Sequence, residues 1–449
     1  MIDFIKDIFS DNDDKKKEKQ LIKKNKSTSL KLYKVNYGTL SNDNNQKAYY
    51  FDNNATTLIY DSYILKNIMK WLSCGNPSNN LHFKGVEAHN QIDKCRKIIA
   101  NDLDIEPSEL LFTGSATEAN NIIIQGIVNK EIKKMKTDEY GGYRTRMSII
   151  TTEFEHPSVL NVFKQFENND YVDVIYVPVE LDINNQYYGC INPKTFEYYL
   201  STAVNPILVS IMYANNETGA INDIRKLASI TKKIDKNIFF HSDVTQAIGK
   251  FIIHPKELNI DSVTFSGHKF HGPKGIGCLY MKNTNNTCPL KCGICYGGEQ
   301  EESIRPGTEN VANITGLALA LKAVHEDRKE KNKALKDKKM YLLIALKNIG
   351  CQFILPKYSL CNTIMVVLPH LSICNRNVCK ILSEKFNICI GISSACQTGT
   401  ISHVLKAMNI DEEDKYRILR ISMCDYNTIK ECEYLIGALY AVINQFYVQ

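Results

Sequence analysis

At 449 residues the chain exceeds the size at which a single hydrophobic core keeps growing, so two domains are expected. Its 44% hydrophobic and 23% charged residues are ordinary for a globular protein and exclude disordered, collagenous and coiled-coil chains. No stretch approaches the ~18 uninterrupted apolar residues of a membrane helix, which excludes an integral membrane protein. The net charge of +6 is concentrated at one end: residues 1–34 hold ten lysines against six acids. The body therefore offers no basic face for nucleic acid. Fifteen cysteines at irregular spacings, without a signal peptide, read as reduced thiols of an intracellular protein, the cytoplasm first and an organelle as the alternative.

Residues 1–45 form a basic extension. Ile2, Ile5 and Phe9 could line a short helix, but DNDDKKKEKQ and a polar Asn/Ser/Lys run follow, the composition of a solvated tail. A mitochondrial presequence is disfavoured by the absence of arginine and by Asp3, Asp7, Asp11, Asp13 and Asp14. From Tyr49 onward short apolar runs alternate with helical patterns. LLFT (110–113), SII (148–150), VIYVPV (174–179), LVSIMY (208–213), NIFF (237–240) and SVTFS (262–266) read as strands. Such alternation implies an α/β layer with a largely parallel sheet, filling residues 46–310. A long Lys/Glu-rich helix over roughly 313–347, then the strands FIL and TIMVVL, point to a smaller α+β domain over 311–449.

Ligands of open α/β sheets sit outside the carboxyl ends of the strands, so polar residues just past each strand carry the interest. In FTGSATEANN a tight turn leads into a helix. Backbone N–H groups there can cradle a phosphate, and an ordinary cap by Ser115 or Thr117 is the plainer alternative. His156 in EFEHPSVL follows a strand, where a histidine is either structural or catalytic. Asn216 in MYANNETG is a turn former or a ligand. Asp243 ends an apolar strand, where a carboxylate needs a cationic partner or a capping role, and Gln246 lies one turn on. Ser266, His268 and Lys269 follow SVTFS, and Lys269 is either a Schiff-base nucleophile or a surface charge. The glycine-rich stretch beyond it lacks the setting of a dinucleotide fingerprint. Taken together, a phosphate cradle, a cation-pairing Asp, a ring-stacking His and a Schiff-base Lys are the set that pyridoxal phosphate (PLP) requires.

The order and wording of FDNNATT, GNPSNNLH, FTGSATEANN, EHPSVL, ANNETGAI, HSDVTQAIGK, SGHKFHGPKGIG, RPGTENV and SSAC followed by SHVLKAM resemble the NifS/IscS-like cysteine desulfurases of the class V aminotransferase superfamily, over roughly residues 49–430. The resemblance implies a fold type I PLP enzyme: a large domain with a mostly parallel seven-stranded-type sheet, to whose small domain an N-terminal segment contributes. It implies that Lys269 carries the cofactor, Asp243 pairs with its ring nitrogen, Gln246 and Asn216 hold the ring hydroxyl, and His156 stacks on the ring and shuttles protons. Ala116, Thr117, Ser266 and His268 would hold the phosphate, joined by Thr308 from the other subunit of a homodimer. Asn76 and Arg420 would bind the substrate carboxylate, and Cys396 would accept sulfur from L-cysteine as a persulfide. The acceptor beyond it would be an iron–sulfur scaffold protein or a tRNA-thiolation relay.

Three departures from the family pattern stand out. The loop between Cys396 and SHVL is two residues shorter and lacks its proline. Gly297-Gly298-Glu299 replaces a glycine triplet, and Asp425 stands where a second arginine is usual. CPLKCGIC, with Cys288, Cys292 and Cys295, has no second ligand pair nearby and reads as free thiols rather than a metal site, and no metal is expected elsewhere. The rival readings are another class V activity, an aminotransferase or a selenocysteine lyase, and a catalytically idle binding protein of the same fold.

Overall fold

The structure is a computed structural model that describes residues 48–137, 146–283, 290, 295–392 and 402–448. The basic extension, Cys288, Cys292 and Cys396 lie outside the described residues.

Seven strands form the main sheet: β2 (Leu110–Thr113), β3 (Met147–Thr152), β4 (Val172–Val177), β5 (Pro206–Ser210), β6 (Phe239–Asp243), β7 (Ser262–Ser266) and β8 (Gly277–Met281). Their spatial order is β2-β8-β7-β6-β5-β3-β4. All neighbours run parallel except β8, which is antiparallel to both β2 and β7. Strand β8 lies just beyond GPKGIG, in a stretch given no strand by sequence. Gly277 is what admits it: a Cβ there would stand 2.5 Å from the carbonyl carbon of Ser115. The sheet is clad by helices, among them α1 (Ser62–Trp71), α2 (Phe83–Leu103), α3 (Ala116–Thr137), α4 (Pro157–Lys164), α5 (Pro193–Thr202), α6 (Ile224–Ile234) and α7 (Pro255–Leu258). Strands buried along their whole length, such as β7 and β8, are what a sheet covered on both faces requires.

The single helix expected over 313–347 is two helices, α8 (Val311–His325) and α9 (Arg328–Asn348). Glu326 is extended and Asp327 has φ 53°, a left-handed conformation that short polar side chains tolerate. The break also separates two environments. Ile314, Leu317 and Leu321 of α8 join the core that contains Ile150, Val209 and Phe265 of the main sheet, whereas Leu335, Leu342 and Leu346 of α9 join a second core. That second core is built on the antiparallel ribbon β12-β10-β9, with β9 (Gln352–Ile354), β10 (Thr363–Val367) and β12 (Ile418–Ser422), and on α10 (Asn375–Phe386) and α12 (Ile429–Phe446). A two-stranded parallel pair joins β1 (Tyr49–Phe51) to β11 (Ile388–Ile390). The first described strand thus lies beside the last third of the chain, which sets Asp52–Thr57 down between the two cores. The short helix α11 (His403–Ala407) closes the set, and its Val404 and Leu405 pack in the first core.

Candidate active site

A cavity of about 450 Å³ opens where the carboxyl ends of β5, β6 and β7 meet the segments 52–55 and 390–392. Its lining brings together Ala116, Thr117, His156, Asn216, Asp243, Gln246, Ser266, His268, Lys269 and Arg420, ten of the residues singled out by sequence. Asn76 and Thr308 do not line it. Asn76 is exposed in the turn before α2, where its Oδ1 accepts from the Ser78 N–H at 2.9 Å. Thr308 is exposed in the loop before α8.

Each wall follows from local chain logic. Ser115 caps α3, accepting from the Glu118 N–H at 3.1 Å, so the first free N–H groups of the helix sit beside Ala116 and Thr117 at the cavity rim. The turn is fixed from behind: the Glu118 carboxylate accepts from the Gly114 N–H and pairs with Arg305 at 2.9 Å. Asp243 is the last residue of β6 and is 5% exposed. One of its oxygens accepts from the Thr245 N–H and the other from Asn120 Nδ2, each at 2.9 Å. Among the described residues no Lys or Arg forms an ion pair with it, so this buried carboxylate is solvated by hydrogen bonds alone and open to a cation in the cavity.

Lys269 ends the short turn after β7. Its Nζ donates to two backbone carbonyls, Asn54 at 2.7 Å and Ala55 at 2.9 Å. Burial, reinforced by the charges of Arg420 and Lys250, pulls its pKa down to about 8. The amine therefore has a substantial neutral fraction near physiological pH, which is what a nucleophilic lysine needs. Gln246 Nε2 donates to the same Asn54 carbonyl at 3.0 Å. His268 is pulled down to about 4 by burial and by Lys269 and Lys274, and its Nδ1 lies 3.1 Å from Thr56 Oγ1. Ser266 donates its hydroxyl to the Ile276 carbonyl at 3.0 Å. His156 caps α4 from an exposed position, and its ring is open to the cavity. Burial lowers its pKa.

The opposite wall is less symmetrical. Arg420, in the middle of β12, is 5% exposed and pairs with Asp52 at 2.7 Å, while Nη1 donates to the Asn216 carbonyl at 3.0 Å. Its Nε is buried with no acceptor among the described residues. Gly391 permits the approach, since a Cβ there would stand 2.5 Å from Asp52 Oδ1. Asp425 turns away from this wall: it faces His271 at 3.5 Å and Lys331 at 3.9 Å. His271, Cys424 and Asp425 bring their ligand atoms within 4.8 Å of one another, but Lys250, Lys331 and Arg328 line the same small cavity, a setting that repels a cation.

Sequence reasoning gave no role to Asp52, Asn54, Asn120, Ser158 and Glu155. Asp52 and Asn54 stand in FDNNATT, and Glu155 precedes His156, so the signal was present in the motifs that carry the resemblance. Glu155 is fully buried, accepts from the Met212 N–H at 2.7 Å and from Thr152 Oγ1 at 2.9 Å, and is pushed up to about 8 by burial.

The chain belongs to the class-V aminotransferase family, whose model matches residues 49–435. Within that family its likeness is to cysteine desulfurases. It is 33% identical over 412 residues to the cysteine desulfurase of Nostoc sp., covering 88% of this chain and 93% of that protein. It is 31% identical over 405 residues to the cysteine desulfurase IscS of Methanosarcina thermophila, covering 89% and 93%. Among solved structures, a NifS-like protein superposes with a TM-score of 0.77 at 32% identity, covering 89% of this chain and 100% of that one. SspA, solved in complex with cysteine, gives 0.69 at 30% identity over 84% and 99%.

Proposed function

We propose that this protein is a PLP-dependent cysteine desulfurase, which converts L-cysteine to L-alanine and holds the sulfur as a persulfide on Cys396 for an acceptor protein. The observation that carries the reading is the meeting, in one cavity, of a lysine held near pKa 8, a buried carboxylate without an ion-pair partner and a helix N-terminus. Those are the three contacts that PLP needs from a protein, and a cavity of about 450 Å³ has room for it beside a small amino acid. PLP supplies an electron sink for negative charge at the substrate α-carbon.

The chain's own residues do the rest. Asp243 holds the ring nitrogen protonated, and Gln246 and Asn216 hold the ring hydroxyl. The α3 N-terminus at Ala116 and Thr117, with Ser266 and His268, binds the phosphate. His268, neutral at pH 7, contributes a hydrogen bond rather than a charge. Lys269 would carry the cofactor, and its amine, held near pKa 8, would be able to move the α-proton. Arg420 orients the substrate carboxylate, with Asn76 reaching it only from outside the cavity's present lining. The Cys396 thiolate would attack the substrate sulfur: an S–S bond forms as the C–S bond breaks, and the carbon that keeps the electron pair is protonated to give alanine.

The working unit is a homodimer. Nine large apolar residues between Leu58 and Val86 are exposed, a surface that calls for a partner, and exposed Thr308 is free to reach a neighbour's phosphate site. No disulfide joins two of the described cysteines, in keeping with a reducing compartment. The sulfur acceptor is an iron–sulfur scaffold or a tRNA-thiolation relay.

The absorbance spectrum of purified protein, with and without L-cysteine, tests the reading together with alanine and sulfide assays. A cofactor band that changes on adding cysteine, with alanine formed and no amino acceptor present, is expected. Absence of the band, or alanine formation only with an added amino acceptor, overturns it.

A further inference from the structure

His156 is held by a chain of hydrogen bonds that no motif reveals. The Ser158 N–H donates to His156 Nδ1 at 3.1 Å, the cap of α4. A backbone N–H can only donate, so Nδ1 is an acceptor, and a neutral imidazole must then carry its proton on Nε2. Ser158 Oγ lies 2.8 Å from the same nitrogen and therefore donates as well. That hydroxyl in turn accepts from Asn120 Nδ2 at 2.9 Å, and Asn120 Nδ2 also donates to Asp243 Oδ2 at 2.9 Å. The amide cannot be reversed without turning its oxygen towards the Asp243 carboxylate. Its Oδ1 accepts instead from Thr264 Oγ1 at 2.6 Å and from His241 Nε2 at 3.1 Å. Every member is buried except His156 itself. No described residue accepts from His156 Nε2.

We propose that Asn120 and Ser158 are positioning residues that lock His156 in the resting protein as a neutral ring with the proton on Nε2, so that His156 presents a hydrogen-bond donor to the cavity. The inference rests on the reading of that cavity as the PLP and cysteine site. A neutral imidazole at a helix N-terminus is an electrophile that steadies developing negative charge without giving up its proton, and the helix end opposes a second proton. The charged and titratable groups that face the ring are Asp243 from β6, Lys269 after β7, His403 of α11 and Glu217 after β5, with Glu155 adjacent in the chain. Asp243 and Glu217 favour the imidazolium, while burial, Lys269 and His403 oppose it, and the balance lies with the neutral ring.

The test uses full-length protein carrying ring-¹⁵N histidine, read by magic-angle-spinning NMR without cysteine. His156→Asn assigns the His156 signals. The expected spectrum has an unprotonated Nδ1 and a protonated Nε2, unchanged as pH falls through the ordinary imidazole range of about 6.5. Ser158→Ala should raise the proton affinity of the ring about fivefold, the effect of one neutral hydrogen bond, and Ser158→Thr should restore it. Asn120→Asp, which keeps the shape but loses the donor, should move the titration in the same direction. In turnover, Ser158→Ala should lower kcat and leave KM for cysteine unchanged. A proton on Nδ1, an imidazolium at pH 7, or identical titrations in wild type and Ser158→Ala overturns the proposal. The tautomer is read without substrate, so a failure to make alanine would count against the desulfurase reading and leave this one standing.

Discussion

The two walls of the cavity are built by different means. The wall proposed to face the cofactor is a row of strand ends in one sheet: Thr113, Asp243 and Ser266 close β2, β6 and β7, and each is followed within a few residues by the polar groups that line the cavity. Those groups are held by hydrogen bonds to fixed backbone or to buried neighbours. The substrate wall is assembled from distant pieces. Asp52 and Arg420 are 368 positions apart and come from opposite ends of the described chain, and Arg420 keeps a buried, unpartnered Nε. On the proposed reading the first wall is preorganised for one permanent occupant, and the second retains an internal carboxylate where the substrate carboxylate would bind. Rigidity suits a cofactor that stays, and an exchangeable ion pair suits a substrate that leaves.

Removing the anchor of the cofactor wall has the largest expected effect. Lys269→Ala should abolish turnover and leave no pyridoxyl group on the protein after borohydride reduction. A pyridoxyl group mapped to any other lysine in wild-type protein contradicts the assignment. Cys396→Ser should keep the cofactor band and its response to cysteine but lose nearly all sulfide release, because a serine hydroxyl cannot take up the sulfur. Mass spectrometry of wild-type protein after cysteine should find one extra sulfur on the Cys396 peptide, and that sulfur on Cys292 or Cys295 would sink this assignment. Asp243→Ala sits one step lower. It leaves the α3 N-terminus and Lys269 in place, so cofactor still binds, but turnover should fall about 10²-fold or more as the ring nitrogen loses its anion. Near wild-type turnover in this variant removes Asp243 from the mechanism.

The strand-end wall was legible because it follows runs that announce themselves. LLFT and SVTFS are β2 and β7 to the residue, and a buried strand leaves its first polar neighbours at the sheet's edge. Strand β8 escaped, since GPKGIG suggests only a loop and the glycine that admits the strand is also what disguises it. The break at Asp327 escaped because neither glycine nor proline marks it in HEDRK. Ser158 stands in the first turn of α4 and Asn120 in the second turn of α3, where neither residue type draws notice, and Asn120's partners lie 38 to 144 positions away. The Asp52–Arg420 pair was out of reach for the same reason. A charge pattern along the chain carries no information about contacts between chain ends.

Within the cofactor wall, pH offers a finer probe. Lys269 is held near 8 against about 10.4 for an unperturbed lysine, so its ammonium form disappears as pH rises through 8. In cofactor-free protein the rate of covalent cofactor attachment should climb with pH up to about 8 and then level, followed by absorbance. A rate that keeps climbing towards pH 10 means that the amine is not depressed. The same shift bears on stability. Between pH 8 and 10.4 the unfolded chain binds the extra proton, so the penalty of burying Lys269 is full below pH 8 and is relieved as pH rises to 10.4.

The smallest effect, and the one that best separates the two walls, is expected from Asp52→Asn. Asp52 is the anionic partner of Arg420, whose side chain is 6% exposed, while Asp52's own is 25% exposed. An asparagine keeps the shape and can still accept one hydrogen bond, but it leaves the guanidinium charge uncompensated in the resting protein. Breaking a fully buried pair costs 3–5 kcal/mol. With Asp52 partly open to solvent and one hydrogen bond kept, about 2 kcal/mol of stability should go, seen as a lower Tm. The substrate carboxylate then has no internal rival for Arg420, so KM for L-cysteine should fall a few-fold with kcat nearly unchanged. A bound carboxylate ligand should also recover more Tm in the variant than in wild type, because it restores the missing partner. If Asp52 instead serves only to aim Arg420, KM rises and ligand does not restore the Tm. That outcome would make the substrate wall as preorganised as the cofactor wall and end the contrast between them.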